Sequence, residues 1–293
     1  MNTLTGELLK SKRKLDIYGN PVNEWDAYLS PGKLKIYSAL LAEASGKATA
    51  GSVYADRVKR LQLSLEYTAL QQARFFGAEQ GGMYTVQGDG YVVKMGLRDR
   101  IAAFAKGADK ARVTELSEGG LSPAAYSKEW NDILREPPVK NKMLHAVAMF
   151  QYPFSEFYPA KGERTLTDGV TGYADYSYNW LLFVGMPMIA NVRASAMVEC
   201  SEINISFLHD EPHFIHAPDN LQIEISEDGK NYKKCKYEIQ KSASTKSISK
   251  HTFSVRNEGM QVRYIKAHAS LAQYTMQGSS RKLSIACDEI LVK

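Results

Sequence analysis

The period of the hydrophobic pattern changes part-way along the chain. Up to about residue 137, apolar residues recur every three or four positions; beyond it, short runs alternate every second position. A helix buries one face with a 3.6-residue period and a strand with a period of two, so the two patterns predict two domains of different class. Ser30-Pro31 reads as a helix start, with Ser accepting free N–H groups and Pro costing no bond at the first position. Leu34, Tyr37, Leu40 and Leu41 follow at helical spacing, and Gly46 or Gly51 ends the element. Val53, Val58, Leu61, Leu65, Thr68 and Phe75 or Phe76 mark a second, amphipathic helix of roughly 25 residues, stopped by Gly77.

The glycine-rich run 77–96 predicts a loop or a short hairpin. A third helix carries Leu97, Ile101, Phe104, Ala108 and Leu116 on one face and ends at Gly119-Gly120. Ser122-Pro123 opens a fourth, which ends near Arg135. Pro137-Pro138, which can donate to neither helix nor ladder, marks the boundary between domains 1–138 and 139–293.

In the second domain Ile203, Ile205 and Phe207 alternate with polar residues, as do Leu221, Ile223 and Ile225 and, less cleanly, Val262, Tyr264 and Lys266. Asp228-Gly229 signals a tight turn, and Lys241–Lys250 a loop or hairpin tip. Short strands separated by polar turns predict an antiparallel β-sandwich. The fold class is therefore α+β with two domains, an N-terminal helical bundle followed by a β-sandwich.

Several functions are set aside at this stage. Residues 1–138 hold 19 basic and 16 acidic side chains and residues 139–293 hold 18 and 16, so neither half carries the excess of a nucleic-acid binder. No apolar run reaches membrane-spanning length. Met1–Lys14 is polar, with Lys10, Lys12, Arg13 and Lys14 and no apolar core after them, which is not a secretory signal. The protein is then cytoplasmic, or a piece of a longer secreted one. Cys200, Cys235 and Cys287 lack metal-ligand spacing and read as small buried residues, with a Cys200–Cys287 bridge left open. The glycine-rich run matches no phosphate-binding motif, no nucleophile elbow is present, and Asp99 and Asp109 read as solvated.

Three segments carry chemistry. The first is Leu166-Thr167-Asp168-Gly169-Val170-Thr171-Gly172, which leads into the aromatic run Tyr173, Tyr176, Tyr178, Trp180 and Phe183. The second is His209-Asp210-Glu211-Pro212-His213-Phe214-Ile215-His216, in which Pro212 forbids the helix that would align two histidines on a metal. The third is Ile225-Ser226-Glu227-Asp228-Gly229-Lys230-Asn231-Tyr232, a strand end running into a tight turn. Flat aromatics cover the C–H faces of sugars while polar neighbours bind hydroxyls. Tyr173 and Tyr176 are the exposed candidates, and Trp180 is expected to pack into the sandwich.

Together these segments resemble a discoidin-like (coagulation-factor type C) domain of the galactose-binding-like, jelly-roll superfold. Tyr18-Gly19-Asn20-Pro21, Tyr28-Leu29-Ser30-Pro31 and Tyr37–Ala44 resemble the helical region of an uncharacterised bacterial glycoside-hydrolase-like family. In that family a catalytic barrel lies upstream, and this chain begins almost at the helices. The resemblance implies a non-catalytic carbohydrate-binding or scaffolding portion of a secreted or periplasmic protein, with a glycan and an upstream catalytic domain as partners. The glycan would be held by Tyr173, Tyr176, His213, Phe214 and Arg263. It also implies a structural calcium on Asp168 and Glu289, with carbonyls of Thr165 and Thr171, although Val170 and Tyr173 replace the usual polar residue and threonine. The rival reading is a structural or protein-interaction module with no sugar site.

Overall fold

The computed structural model describes residues 2–13, 20–22, 24–79, 81–88, 90–116, 121–135, 140–243, 247–276 and 278–293. The chain forms two compact units, Met1–Pro137 and Pro138–Lys293. The first contains α1 (Asn2–Ser11), α2 (Pro31–Lys47), α3 (Val53–Phe76), the hairpin β1 (Tyr84–Gln87) and β2 (Gly90–Val93), α4 (Leu97–Lys110) and α5 (Pro123–Ile133).

Sequence signals place most of these ends. The Ser52 and Ser122 side chains accept N–H groups of Ala55 and Ala125, and Gly77 closes α3 at φ 59°. Ser30 caps α2 by position only; its side chain makes no capping bond, and its carbonyl takes the N–H of Leu34. The glycine-rich run resolves into the β1–β2 hairpin. Helix α4 stops earlier than its apolar pattern implies. Arg112 turns into left-handed backbone, and Leu116 lies beyond the helix, its N–H bonded to Leu121. The predicted stop at Gly119-Gly120, and Pro137-Pro138 itself, lie outside the described residues. Leu70, Phe104, Tyr126 and Trp130 form the core of this unit. Buried Arg74 is tied to Glu129 across it.

In the second unit the described strands all pair antiparallel: β3 (Val147–Phe150), β4 (Leu181–Val184), β5 (Met188–Asp210), β6 (Asn220–Ser226), β7 (Lys233–Cys235), β8 (Glu238–Ala243), β9 (Ile248–Ser270) and β10 (Ser284–Val292). Two long strands organise it. Residues 188–193 of β5 pair with β3 and with residues 264–269 of β9, which in turn pair with β6, and β6 pairs with β7. Residues 203–210 of β5 pair with residues 248–255 of β9, flanked by β10–β4 on one side and β8 on the other. The two long strands thus run from one layer into the other. Register shifts mark the crossing: β5 carries three extra residues between Arg193 and Val198, and β9 carries two extra opposite Cys200 and Glu202, where unpaired residues bend the ladder.

Side chains from both layers meet in one core. Ile203, Ile205, Phe207, Phe253 and Ile285 from one face Met188, Val192, Ile223, Ile265 and Ala267 from the other. The expected alternation over 203–207 and 221–223 is the core-facing set. In β9 the phase differs from expectation: Val262 is buried, but beyond it Ile265, Ala267 and Ala269 point inward and Tyr264 and Lys266 do not. The irregular pairing at the crossing flips which positions face the core. All three cysteines are free, so the Cys200–Cys287 pairing left open in the sequence is not formed; Cys287 lies opposite Phe207.

Candidate functional site

The run between Asp168 and Trp180 lies over the outer face of the β4–β10–β5 layer. Leu182, Ala286 and Leu208 point outward there, and Trp180, Ile215, Tyr176 and Ile248 cover them. Trp180 is buried, but against this outer face and not inside the sandwich where it was expected, and its indole N–H donates to the Tyr173 carbonyl at 2.7 Å. The Gly172 N–H donates to Asp288 Oδ2 at 2.8 Å, and Lys250 pairs with the same carboxylate.

At the end of β5 the chain builds a small polar-aromatic patch. Glu211–His213 form one turn of 3-10 helix, and Phe214 adopts left-handed backbone at φ 60°. That reversal lets Ile215 pair back onto Asp210 and lie beside Ser284. The buried Asp210 carboxylate accepts from His213 Nδ1, with both oxygens at 2.9 Å. With Nδ1 turned to Asp210, Nε2 is the ring nitrogen left for a ligand. The His213 side chain remains 50% exposed. Its ring lies 4.6 Å from that of Tyr176, which meets Tyr158 edge-on at 5.2 Å. Burial, followed by its hydrogen bond with Tyr158, raises the Tyr176 phenol above its ordinary pKa and keeps it neutral.

The predicted sugar residues divide. Tyr176 and His213 come together. Tyr173 is half-buried and contributes its carbonyl to Trp180. Phe214 follows His213 directly but diverges from it, packing toward the inner core with the Arg281 guanidinium 4.9 Å above its ring. Arg263 does not join them. It lies fifteen residues along β9 from Ile248, the partner of Asp210, and strand residues advance about 3.3 Å each. Its guanidinium stacks on Tyr264 instead.

Two members of the patch, Tyr158 and Asp210, were not singled out from the sequence. An Asp three residues before a His, with a Pro between them in a tight turn, was the available signal for Asp210; Tyr158 sits in a run without period. In a separate histidine group, His209 meets His216 edge-on at 5.2 Å and stacks on His251 at 5.6 Å. Burial lowers the pKa of His209, and it lowers that of His251 to about 4. Among the described residues no His, Cys, Asp or Glu cluster is arranged to hold a metal ion.

The residues assigned to calcium do not present a calcium site. Calcium needs six to eight oxygen donors facing inward. Here the Lys161 ammonium sits 2.6 Å from Asp168 Oδ2, both side chains 1% exposed. Asp168 Oδ1 takes the Val170 N–H, and Glu289 Oε1 takes the Gly169 N–H and the Asn141 amide. The buried Thr165 hydroxyl accepts the Lys161 N–H, and Thr171 is exposed. Both Asp168 oxygens and Glu289 Oε1 therefore face hydrogen-bond donors, and among the described residues Glu289 Oε2 has no partner.

No family model matches the chain, and no curated protein matches it. Over about half its length it is similar to solved carbohydrate-binding modules. The family 32 module of Streptococcus pneumoniae EndoD is 8% identical, with a TM-score of 0.35, covering 52% of this chain and 98% of that one. A fucose binding module of Streptococcus pneumoniae is 12% identical, with a TM-score of 0.33 and coverage of 53% and 98%. A chitosan-binding module from a chitosanase/glucanase of Paenibacillus sp. IK-5 is 15% identical, with a TM-score of 0.31 and coverage of 52% and 98%. Similarity at this level transfers neither ligand nor role, and the two-layer arrangement stands on the strand pairing described above. Among the described residues no helix is long and apolar enough to cross a membrane.

Proposed function

We propose that the β unit is a galactose-binding-like, jelly-roll module that grips a glycan without cleaving it. The group formed by Tyr158, Tyr176 and His213 carries this reading. Its aromatic rings offer C–H-matching surface, Asp210 orients the histidine, and Tyr176 stays a neutral donor. Such a patch covers one side of a sugar and binds a single ring weakly; attachment beside a catalytic domain or a repeated glycan compensates. The resemblance of the helical half to the region following a glycoside-hydrolase barrel supports a non-catalytic, C-terminal role in a secreted or periplasmic enzyme. The upstream domain would break the bonds.

A glycan array probed with the whole chain tests this. Wild type is expected to retain a defined set of glycans, and Tyr176→Ala or His213→Ala to weaken each about tenfold, near 1.4 kcal/mol. Tyr54→Ala, on an exposed face of α3, leaves binding unchanged. Retention that is indifferent to Tyr176 and His213 sinks the assignment. The rival reading, a protein-interaction module with no sugar site, is favoured by one observation: edge strand β3 leaves Val147 and Met149 52% and 58% exposed. A wild-type chain that retains no glycan leaves that reading standing.

A further inference from the structure

We infer that the Lys161 ammonium is the resident cation of the Asp168 loop, and that this loop closes on the sandwich without metal. The inference is independent of what the rim binds. Three carboxylates, Asp168, Asp288 and Glu289, are buried side by side where the loop meets β10. Two ammonium groups answer them: Lys161 on Asp168 and Lys250 on Asp288. Lys161 is held from both ends, because its backbone N–H is bonded to the Thr165 hydroxyl and its Nζ to Asp168, so the segment preceding the loop is strapped to it. A divalent ion on Asp168 Oδ2 would have to displace that ammonium, and Asp168 Oδ1 and Glu289 Oε1 already accept the N–H groups of Val170 and Gly169.

Glu289 meets donors from the loop and from the chain before it: its Oε1 takes the Gly169 N–H and the Asn141 amide. Removing one partner of a buried pair strands the other, whereas a metal-held loop responds to metal.

The test is thermal unfolding of the whole chain in millimolar calcium and in chelator, for wild type and for Lys161→Met. Wild type is expected to unfold at the same temperature in both. Lys161→Met is expected to unfold on the order of 10 °C lower, because Asp168 loses its counter-ion in a dry site. A wild-type Tm that rises with calcium and falls with chelator overturns the inference, as does a Lys161→Met Tm equal to that of wild type. If the variant fails to fold, the wild-type calcium comparison decides alone.

Discussion

Glu289 is the residue whose protonation couples most plainly to folding. Its pKa in the folded chain lies well above the ordinary 4.5 because it is buried and faces Asp168. A carboxyl raised in the folded state contributes stability that is fully present below its unfolded pKa and is lost as pH rises through the folded one. Burial also raises Asp288, though less, since Lys250 opposes it. Wild type should therefore lose stability as pH climbs from the ordinary carboxylate range toward the alkaline side. Glu289→Gln should flatten that slope, since an amide binds no proton in either the folded or the unfolded state. Denaturant midpoints across the pH range check this; parallel slopes for the two proteins would contradict it. None of this was visible in Cys287-Asp288-Glu289-Ile290. The resemblance pointed to Glu289 as a ligand, but the approach of Asp168, and of Asn141 nearly 150 positions away, exists only once the strands pair.

At the scale of elements, the loop over the outer layer is fixed by one glycine. A Cβ on Gly172 would lie 2.2 Å from the Trp180 ring, which is itself buried and anchored through Tyr173. Neither the ring nor the ladder beneath can yield easily, so Gly172→Ala should cost about 1–3 kcal/mol by overpacking. Calorimetry should show a Tm several degrees lower. An unchanged Tm would mean that the loop is not seated on Trp180 as described. Elements were the scale at which the sequence was most legible. Ser122 and Gly77 act locally, so their helix ends could be read from neighbours alone, whereas the Ser52 cap went unread. Leu116 misled because its apolar character suits a turn packed on the same core as well as it suits a helix face. The inward phase of β9 was misread beyond Val262 because a register shift in a partner strand leaves no mark in β9 itself.

At the scale of the whole molecule, a helical unit and an antiparallel two-layer unit each hold their own core. The switch of hydrophobic period foretold both classes. Half of the candidate site was legible, Tyr176 and His213, because aromatic and histidine residues stand out in composition. Tyr158 and Asp210 were not, because it takes the reversal at Phe214 and the path of the 154–180 segment to bring them alongside. Arg263 was misplaced for the converse reason: its residue type suited a sugar, but the strand carries it away. The account turns on that patch, and the most direct measurement is a crystal structure of the whole chain with the tightest glycan from the array. It predicts a sugar ring lying against Tyr176 and Tyr158, with a hydroxyl bonded to His213 Nε2 and the glycan uncut. A glycan seated elsewhere on the molecule, or found cleaved, would contradict it.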